Sequence, residues 1–236
     1  MNVMWSLWVV PMIVVSTFVH GVVSNVWSLF DRTPGPQLRV ARAWARSLLW
    51  IAGVKVEIEG LEHIRVGGNY VFVVNHVSYM DTPVVLAHVP EQFLFLAKSG
   101  LFKIPLLGWH LHRAGHVPVP LEDVRGQLKT LQKAAALIRE GRSTLVFPEG
   151  GRSESGKLRE FKDGAAYLAI RARVPLVPMA LIGMRGILPM HSLRFHPGRV
   201  KLKIGEPIPT DGLSIKERQA VTTRARERVV ELLERP

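Results

Sequence analysis

From Trp5 to Phe30 the chain runs for 26 residues without one Asp, Glu, Lys or Arg. Coiled into a helix at about 1.5 Å per residue, that stretch would reach roughly 39 Å, against about 30 Å of bilayer hydrocarbon. Trp5, Trp8 and Trp27 lie near its ends, where amphipathic rings favour a membrane interface. No charged side chain precedes it, while Arg32, Arg39, Arg42 and Arg46 follow at once. If the segment spans a bilayer, this asymmetry places the rest of the chain on the cytoplasmic face. A cleaved signal peptide is not expected, because a basic leader and an A-x-A-like site are both missing. Pro11, Gly21, Ser16, His20, Ser24 and Asn25 interrupt the apolar run. They allow two further readings: a pair of shorter helices lying in one leaflet, or a helix buried in a core. In each case Gln37–Ile51 follows as a basic amphipathic helix, with Leu38, Ala41, Ala45, Leu48 and Leu49 at helical spacing and arginines between them. Such a helix suits anionic headgroups, so residues 1–52 form an expected membrane-anchoring segment.

The remainder, 53–236, reads as one domain. With 47% hydrophobic and 21% charged residues among 236, the chain can bury a sizeable core and is not disordered. Short apolar runs alternate with helical patterns. Val54–Ile58 alternates as a half-buried strand, whereas Tyr70–Val74 and Phe93–Ala97 are continuous apolar runs of the kind found in strands covered on both faces. Thr144–Phe147, Leu176–Ile182 and Arg199–Ile204 are further strands. Helices are expected at Thr82–Ala87, Val124–Arg139, Asp163–Arg171 and Ser214–Glu234, the last opened by a capping box of Ser214 and Glu217. This alternation predicts an α/β fold with a mixed, largely parallel sheet covered by helices.

Composition narrows the chemistry. There is no cysteine, which excludes disulfides, thiolate metal sites and cysteine nucleophiles. Lys and Arg number 31 against 19 acidic residues, a net charge of +12, so an anionic partner is expected. Nucleic acid is disfavoured: there are only three tyrosines, and most aromatics sit in the apolar anchor or apolar strands rather than among basic residues. Membrane lipids and phosphorylated substrates remain. His110, His112 and His116 look like a metal cluster, but no carboxylate stands at ligand spacing before Glu122 and Asp123, so surface or interfacial histidines are the expectation. Leu101–Leu111 is either an apolar loop lining a chain-binding tunnel or ordinary core. Arg224, Arg226 and Arg228 alternate with acids and suit a solvated helix face.

Two loops follow buried strands, where α/β folds gather their reactive groups. In Asn75-His76-Val77-Ser78-Tyr79-Met80-Asp81, a turn can bring the Asp81 carboxylate onto one imidazole nitrogen of His76, leaving the other as an acceptor. The alternative is that both residues merely cap a helix start. In Phe147-Pro148-Glu149-Gly150-Gly151-Arg152-Ser153, two glycines allow close backbone approach and Arg152 offers a fork for phosphate or carboxylate, or else pairs with a neighbouring acid. No phosphate-binding glycine signature or G-x-S-x-G elbow occurs, which favours direct attack by a substrate hydroxyl over a covalent acyl-enzyme.

The order Asn75-His76-x4-Asp81, then Phe147-Pro148-Glu149-Gly150-x-Arg152, then Val174-Pro175-Leu176-Val177-Pro178 resembles the 1-acyl-glycerol-3-phosphate acyltransferases over about residues 50–205. The resemblance implies transfer of a fatty acyl group from acyl-CoA or acyl-carrier protein to the sn-2 hydroxyl of a lysophosphatidate, with no metal or redox cofactor. It implies that His76 is the general base and that Asp81 orients it. Glu149, Gly150, Gly151 and Arg152 then belong to the acceptor site, with Arg152 on the phosphate. Lys98 is a second phosphate candidate, and Asn75 and Ser78 brace the turn. Two positions depart from the family pattern: Leu121 stands where an arginine is usual, and Gly100 replaces an acidic residue after Lys98. Both bear on acceptor identity, leaving glycerol 3-phosphate or another lysophospholipid as alternatives. Arg113 or Arg125 is positioned in sequence to replace the missing charge.

Overall fold

A computed structural model describes residues 2–31, 33–120 and 123–235. Its frame is a seven-stranded sheet of β1 (Val54–Glu59), β2 (Val71–Val74), β3 (Phe93–Lys98), β4 (Val117–Val119), β5 (Ser143–Val146), β6 (Leu176–Ile182) and β7 (Gly198–Ile204). The spatial order is β1-β7-β6-β2-β5-β3-β4, and every pair is parallel except β6 with β7. The all-apolar β2 sits in the centre because both its faces are covered: Phe72 and Val74 enter one core, Val71 and Val73 the other. The helices are α1 (Asn2–Phe30), α2 (Pro34–Ile51), α3 (Asp81–His88), α4 (Leu107–Arg113), α5 (Val124–Arg139), α6 (Gly164–Ala172), α7 (Met184–Ile187) and α8 (Arg218–Glu234). Residues from α1, α2 and α3 fill the first core, and residues from α5, α6 and α8 the second. This is the α/β architecture that strand–helix alternation predicts. The short edge strand β4, with Pro118 at its middle, is the one strand the sequence pattern misses.

Of the readings open for the N-terminal segment, the structure overturns the pair of shorter helices. Instead of breaking at Pro11 or Gly21, α1 is one continuous helix of 29 residues. Its polar residues do not interrupt it; they form its inward face. Ser16 Oγ lies 2.6 Å from Ser47 Oγ, Ser24 Oγ donates to Gln37 Oε1 at 2.8 Å, and Asn25 Nδ2 donates to the Leu106 carbonyl at 3.1 Å. Near the other end, Ser6 Oγ accepts the Phe195 N–H at 2.9 Å, and Val9 is fully buried. The opposite face, including Trp8, Val14, Val15, Phe18, Val22 and Val26, is exposed. Helix α2 packs Ala45, Leu48 and Leu49 into the first core. Of its arginines, Arg39 and Arg46 are exposed as expected for headgroup contact, but Arg42 turns inward. Its Nη2 reaches the carbonyls of Val89, Pro90 and Glu91 at 2.7, 2.6 and 2.9 Å, capping the carboxyl end of α3.

The apolar Leu101–Leu111 stretch forms a 3-10 turn over Ser99–Lys103 followed by α4. Leu101, Ile104, Leu106, Leu107 and Trp109 are exposed, so ordinary core packing does not describe them. The three histidines there hold elements together: His110 Nδ1 meets Ser24 Oγ at 2.7 Å, His116 Nδ1 accepts the Phe95 N–H at 3.1 Å, and His112 lies edge-on to Phe102. Burial pushes both His110 and His116 down from the usual histidine range, His116 to about 3. At the C-terminus the Ser214–Glu217 capping box is present, with a 3-10 turn over Ile215–Glu217 before α8 begins. On α8 itself, Arg228 pairs with Glu231 at 2.8 Å in solvent.

Candidate active site

Parallel pairing of β2 with β5 sets their carboxyl ends side by side, so the two candidate loops meet at one edge of the sheet. The first loop turns sharply because Asp81, at the start of α3, reaches back over it. Its Oδ2 accepts from Val77 N at 2.7 Å and Ser78 N at 2.8 Å, and it lies 2.7 Å from His76 Nδ1. Two backbone donors make that oxygen an acceptor, so Nδ1 carries the proton it shares with Asp81. Nε2 is left with its lone pair, and it makes no hydrogen bond among the described residues. Asp81 is fully buried, and its Oδ1 has no hydrogen-bond partner among the described residues. The Phe147 ring lies 3.8 Å from the imidazole and nearly parallel to it, fixing the ring plane. The carboxylate does not cap the helix: both of its backbone donors precede α3, which has no side-chain capping bond, so Asp81 closes the loop onto His76 instead.

The remaining predicted residues divide into those that hold this turn and those that face outward. Asn75 extends the β2–β6 ladder by one residue: its Nδ2 donates to the Leu181 carbonyl at 3.0 Å and its Oδ1 accepts Leu181 N at 2.7 Å. Ser78 Oγ donates to the Leu188 carbonyl and accepts Met80 N. Glu149 is buried with both oxygens occupied by backbone donors, Oε1 by His76 N at 2.7 Å and Oε2 by Arg159 N at 2.9 Å. Burial pushes its carboxyl up from the usual range, against the pull of those two bonds. Ser153 N donates to the His76 carbonyl at 2.8 Å, a second tie between the loops. Gly150 has a φ of +73°, and a Cβ there would come within 2.8 Å of the Lys162 side chain. At Gly151 a Cβ would meet the Arg159 side chain at 3.6 Å, an ordinary contact.

Arg152 is half-buried and stacks on Tyr79, its Cζ 4.1 Å from the ring centroid, with Nε 3.4 Å from the Ser78 carbonyl. Burial lowers its pKa, and the neighbouring Tyr79 and Asp81 oppose that. Lys98 ends β3, which pairs with β5 in parallel, so it stands exposed on the same carboxyl edge, one strand beyond Phe147. Gly100 is exposed on the following turn, and Leu121 lies outside the described residues. Sequence spacing pairs His76 with Asp81 but carries no sign of Phe147 as a stacking plate, of Tyr79 under Arg152, or of Glu149 as the tie on His76. The arrangement can take a proton from a hydroxyl with a cation alongside.

Residues 55–182 match the Acyltransferase family model. A chloroplastic 1-acyl-sn-glycerol-3-phosphate acyltransferase of Brassica napus is 36% identical over 171 residues, which are 72% of this chain and 49% of the relative. A 1-acyl-sn-glycerol-3-phosphate acyltransferase of Borreliella burgdorferi is 30% identical over 194 residues, covering 82% of this chain and 77% of the relative. The chain spans about half the length of the first curated relatives it matches. Among solved structures, the 1-acyl-sn-glycerophosphate acyltransferase PlsC of Thermotoga maritima superposes with a TM-score of 0.82 at 29% identity, over 100% of this chain and 97% of that one.

Proposed function

The chain belongs to the Acyltransferase family, and from that premise we propose that it moves a fatty acyl group from acyl-CoA or acyl-carrier protein to the sn-2 hydroxyl of lysophosphatidate, giving phosphatidate. The observation that carries the reading is the 2.7 Å bond between His76 Nδ1 and Asp81 Oδ2, which leaves Nε2 as the acceptor of a proton. Nε2 takes the proton of the acceptor hydroxyl as its oxygen attacks the thioester carbonyl. The tetrahedral intermediate collapses by breaking the C–S bond, and the imidazolium returns the proton to the departing thiolate. The thioester is already activated, so positioning and one base are the principal requirements, and no metal or redox cofactor enters. Arg152 and Lys98 attract the acceptor's phosphate. Glu149 and Asn75 hold the loops in register, and Gly150 and Gly151 keep the backbone beside them bare.

The substrates are amphiphiles, and we propose that α1 brings the domain to them by lying in the plane of a bilayer. The run Met4–Phe30 is long and apolar enough to cross a membrane. Yet Ser6 at one end and Asn25 near the other are both bonded to the domain. Those residues are about 28 Å apart along a helix, nearly the hydrocarbon thickness, so a spanning α1 would drag the domain in with it. An in-plane seat instead buries the exposed apolar face and sets Leu101, Ile104, Leu107 and Trp109 beside it. Exposed Arg39 and Arg46 then meet anionic headgroups, which are richest on the cytoplasmic leaflet. One labelled acyl thioester offered with lysophosphatidate, glycerol 3-phosphate and lysophosphatidylcholine in turn tests the function. Lysophosphatidate is expected to give the highest kcat/KM, and preference for a choline-capped acceptor would contradict the assignment.

A further inference from the structure

Every residue of the turn from Asn75 to Asp81 is buried except Tyr79, which is 47% exposed. Burying the ring would be favourable, so a turn otherwise folded inward gives no packing reason to leave a large aromatic side chain outside. What the ring does touch is Arg152: the guanidinium carbon sits 4.1 Å over its face. On the edge of the same guanidinium, Nε points at the carbonyl of Ser78, the residue immediately before Tyr79. Arg152 is thus held, on one face and on one edge, by two consecutive residues of the turn that carries the dyad. Among the described residues its two terminal nitrogens meet no acceptor.

We propose that Tyr79 is a positioning residue for the acceptor's phosphate: with the Ser78 carbonyl it keeps the Arg152 guanidinium in one plane, leaving the two terminal nitrogens as a preset fork for a phosphomonoester. The proposal rests on the reading of Arg152 as the phosphate ligand. An unsupported arginine must surrender rotamer freedom when it grips an anion, whereas one already stacked surrenders less. The gain appears in acceptor affinity and not in the chemical step, because the ring touches neither His76 nor the site of attack.

The test is steady-state kinetics on the membrane-reconstituted full chain, with Tyr79→Phe, Tyr79→Leu, Arg152→Ala and the Tyr79→Leu/Arg152→Ala double variant. Tyr79→Phe, which retains the aromatic face, is expected to stay within about twofold of the parent in every constant. Tyr79→Leu is expected to raise the acceptor KM about fivefold, the order expected for a partly exposed cation–π contact, with kcat and donor KM within about twofold. Because the residue is exposed, its melting temperature is expected to hold. In the Arg152→Ala background the same substitution should add nothing, since the ring acts only through that side chain. A fivefold loss that persists without Arg152 overturns the proposal, because the ring would then contact the acceptor itself. An unchanged acceptor KM in Tyr79→Leu, beside a raised one in Arg152→Ala, overturns it while sparing the acceptor site. An unchanged acceptor KM in Arg152→Ala removes the phosphate reading of that residue and the proposal with it.

Discussion

Replacing Glu149 by Gln separates two roles that the sequence motif leaves together, a tie between loops and a contact to the acceptor. Each carboxylate oxygen accepts one backbone N–H, from His76 at 2.7 Å and from Arg159 at 2.9 Å. A glutamine keeps one acceptor oxygen and turns an NH2 toward the other donor, so one charge-assisted bond is lost. Such a bond contributes about 1.5–3 kcal/mol. Burial already disfavours the charged carboxylate at this site, and a neutral amide recovers part of that cost, which places the net loss near the lower figure, about 1.5 kcal/mol. For a chain of 236 residues, at about 2–4 °C per kcal/mol, the melting temperature should fall by about 3–6 °C. The retained amide oxygen serves only one donor, and whichever it serves, the tie on His76 N is either broken or stripped of its charge assistance, so kcat should fall by about 10–100-fold, the scale of a misplaced catalytic group. Acceptor KM should stay within about twofold. Differential scanning calorimetry and acyltransfer kinetics on the same preparation read both effects. An unchanged melting temperature and kcat with a tenfold rise in acceptor KM would refute the tie and assign Glu149 to the acceptor.

Three further perturbations probe the frame around the site. Arg42→Met removes the group that caps the carboxyl end of α3, whose first residue is Asp81. Thermal melting should show a loss of about 2 kcal/mol, and Arg42→Lys should restore part of it through its charge alone. His116, held neutral down to about 3, lets the unfolded chain take a proton that the folded chain refuses. Its contribution is therefore complete above 6.5, the ordinary histidine value, and declines as pH falls toward 3. Between 6.5 and about pH 5 the loss is about 2 kcal/mol, and His116→Gln, which keeps an acceptor for the Phe95 N–H, should flatten the pH dependence seen in urea titrations. Val15→Asp with Phe18→Asp places two charges on the exposed face of α1. Sedimentation with anionic vesicles should drop at least tenfold while the melting temperature in detergent is unchanged, and undiminished sedimentation would contradict the in-plane seat.

How far the chain can be read without coordinates depends on whether a signal is local. The apolar run Tyr70–Val74 followed by Asn75 and His76 marks a central strand and the loop at its end, because burial on both faces leaves a continuous imprint. The Ser214–Glu217 box is legible for the same reason, being complete within four residues. By contrast β4 is three residues long with a proline at its centre, too short to impose a period. Ser16, Ser24 and Asn25 read as interruptions of α1 because a one-dimensional pattern cannot distinguish a helix broken by polar residues from one that turns them inward. At the site, the pairing of His76 with Asp81 spans five positions and can be anticipated. The ties from Glu149 to His76 and from Tyr79 to Arg152 join residues more than seventy positions apart, and nothing in the motif says which neighbours they hold.

The proposed chemistry turns on His76 as the base, and the most direct measurement is the single-turnover rate of acyl transfer by His76→Ala at saturating lysophosphatidate, against the parent and Asp81→Asn. Loss of a positioned general base predicts a fall of about 10²–10⁴-fold with acceptor binding retained, and a smaller but clear fall in Asp81→Asn. A His76→Ala enzyme that transfers acyl groups within about tenfold of the parent rate would show that another group takes the proton.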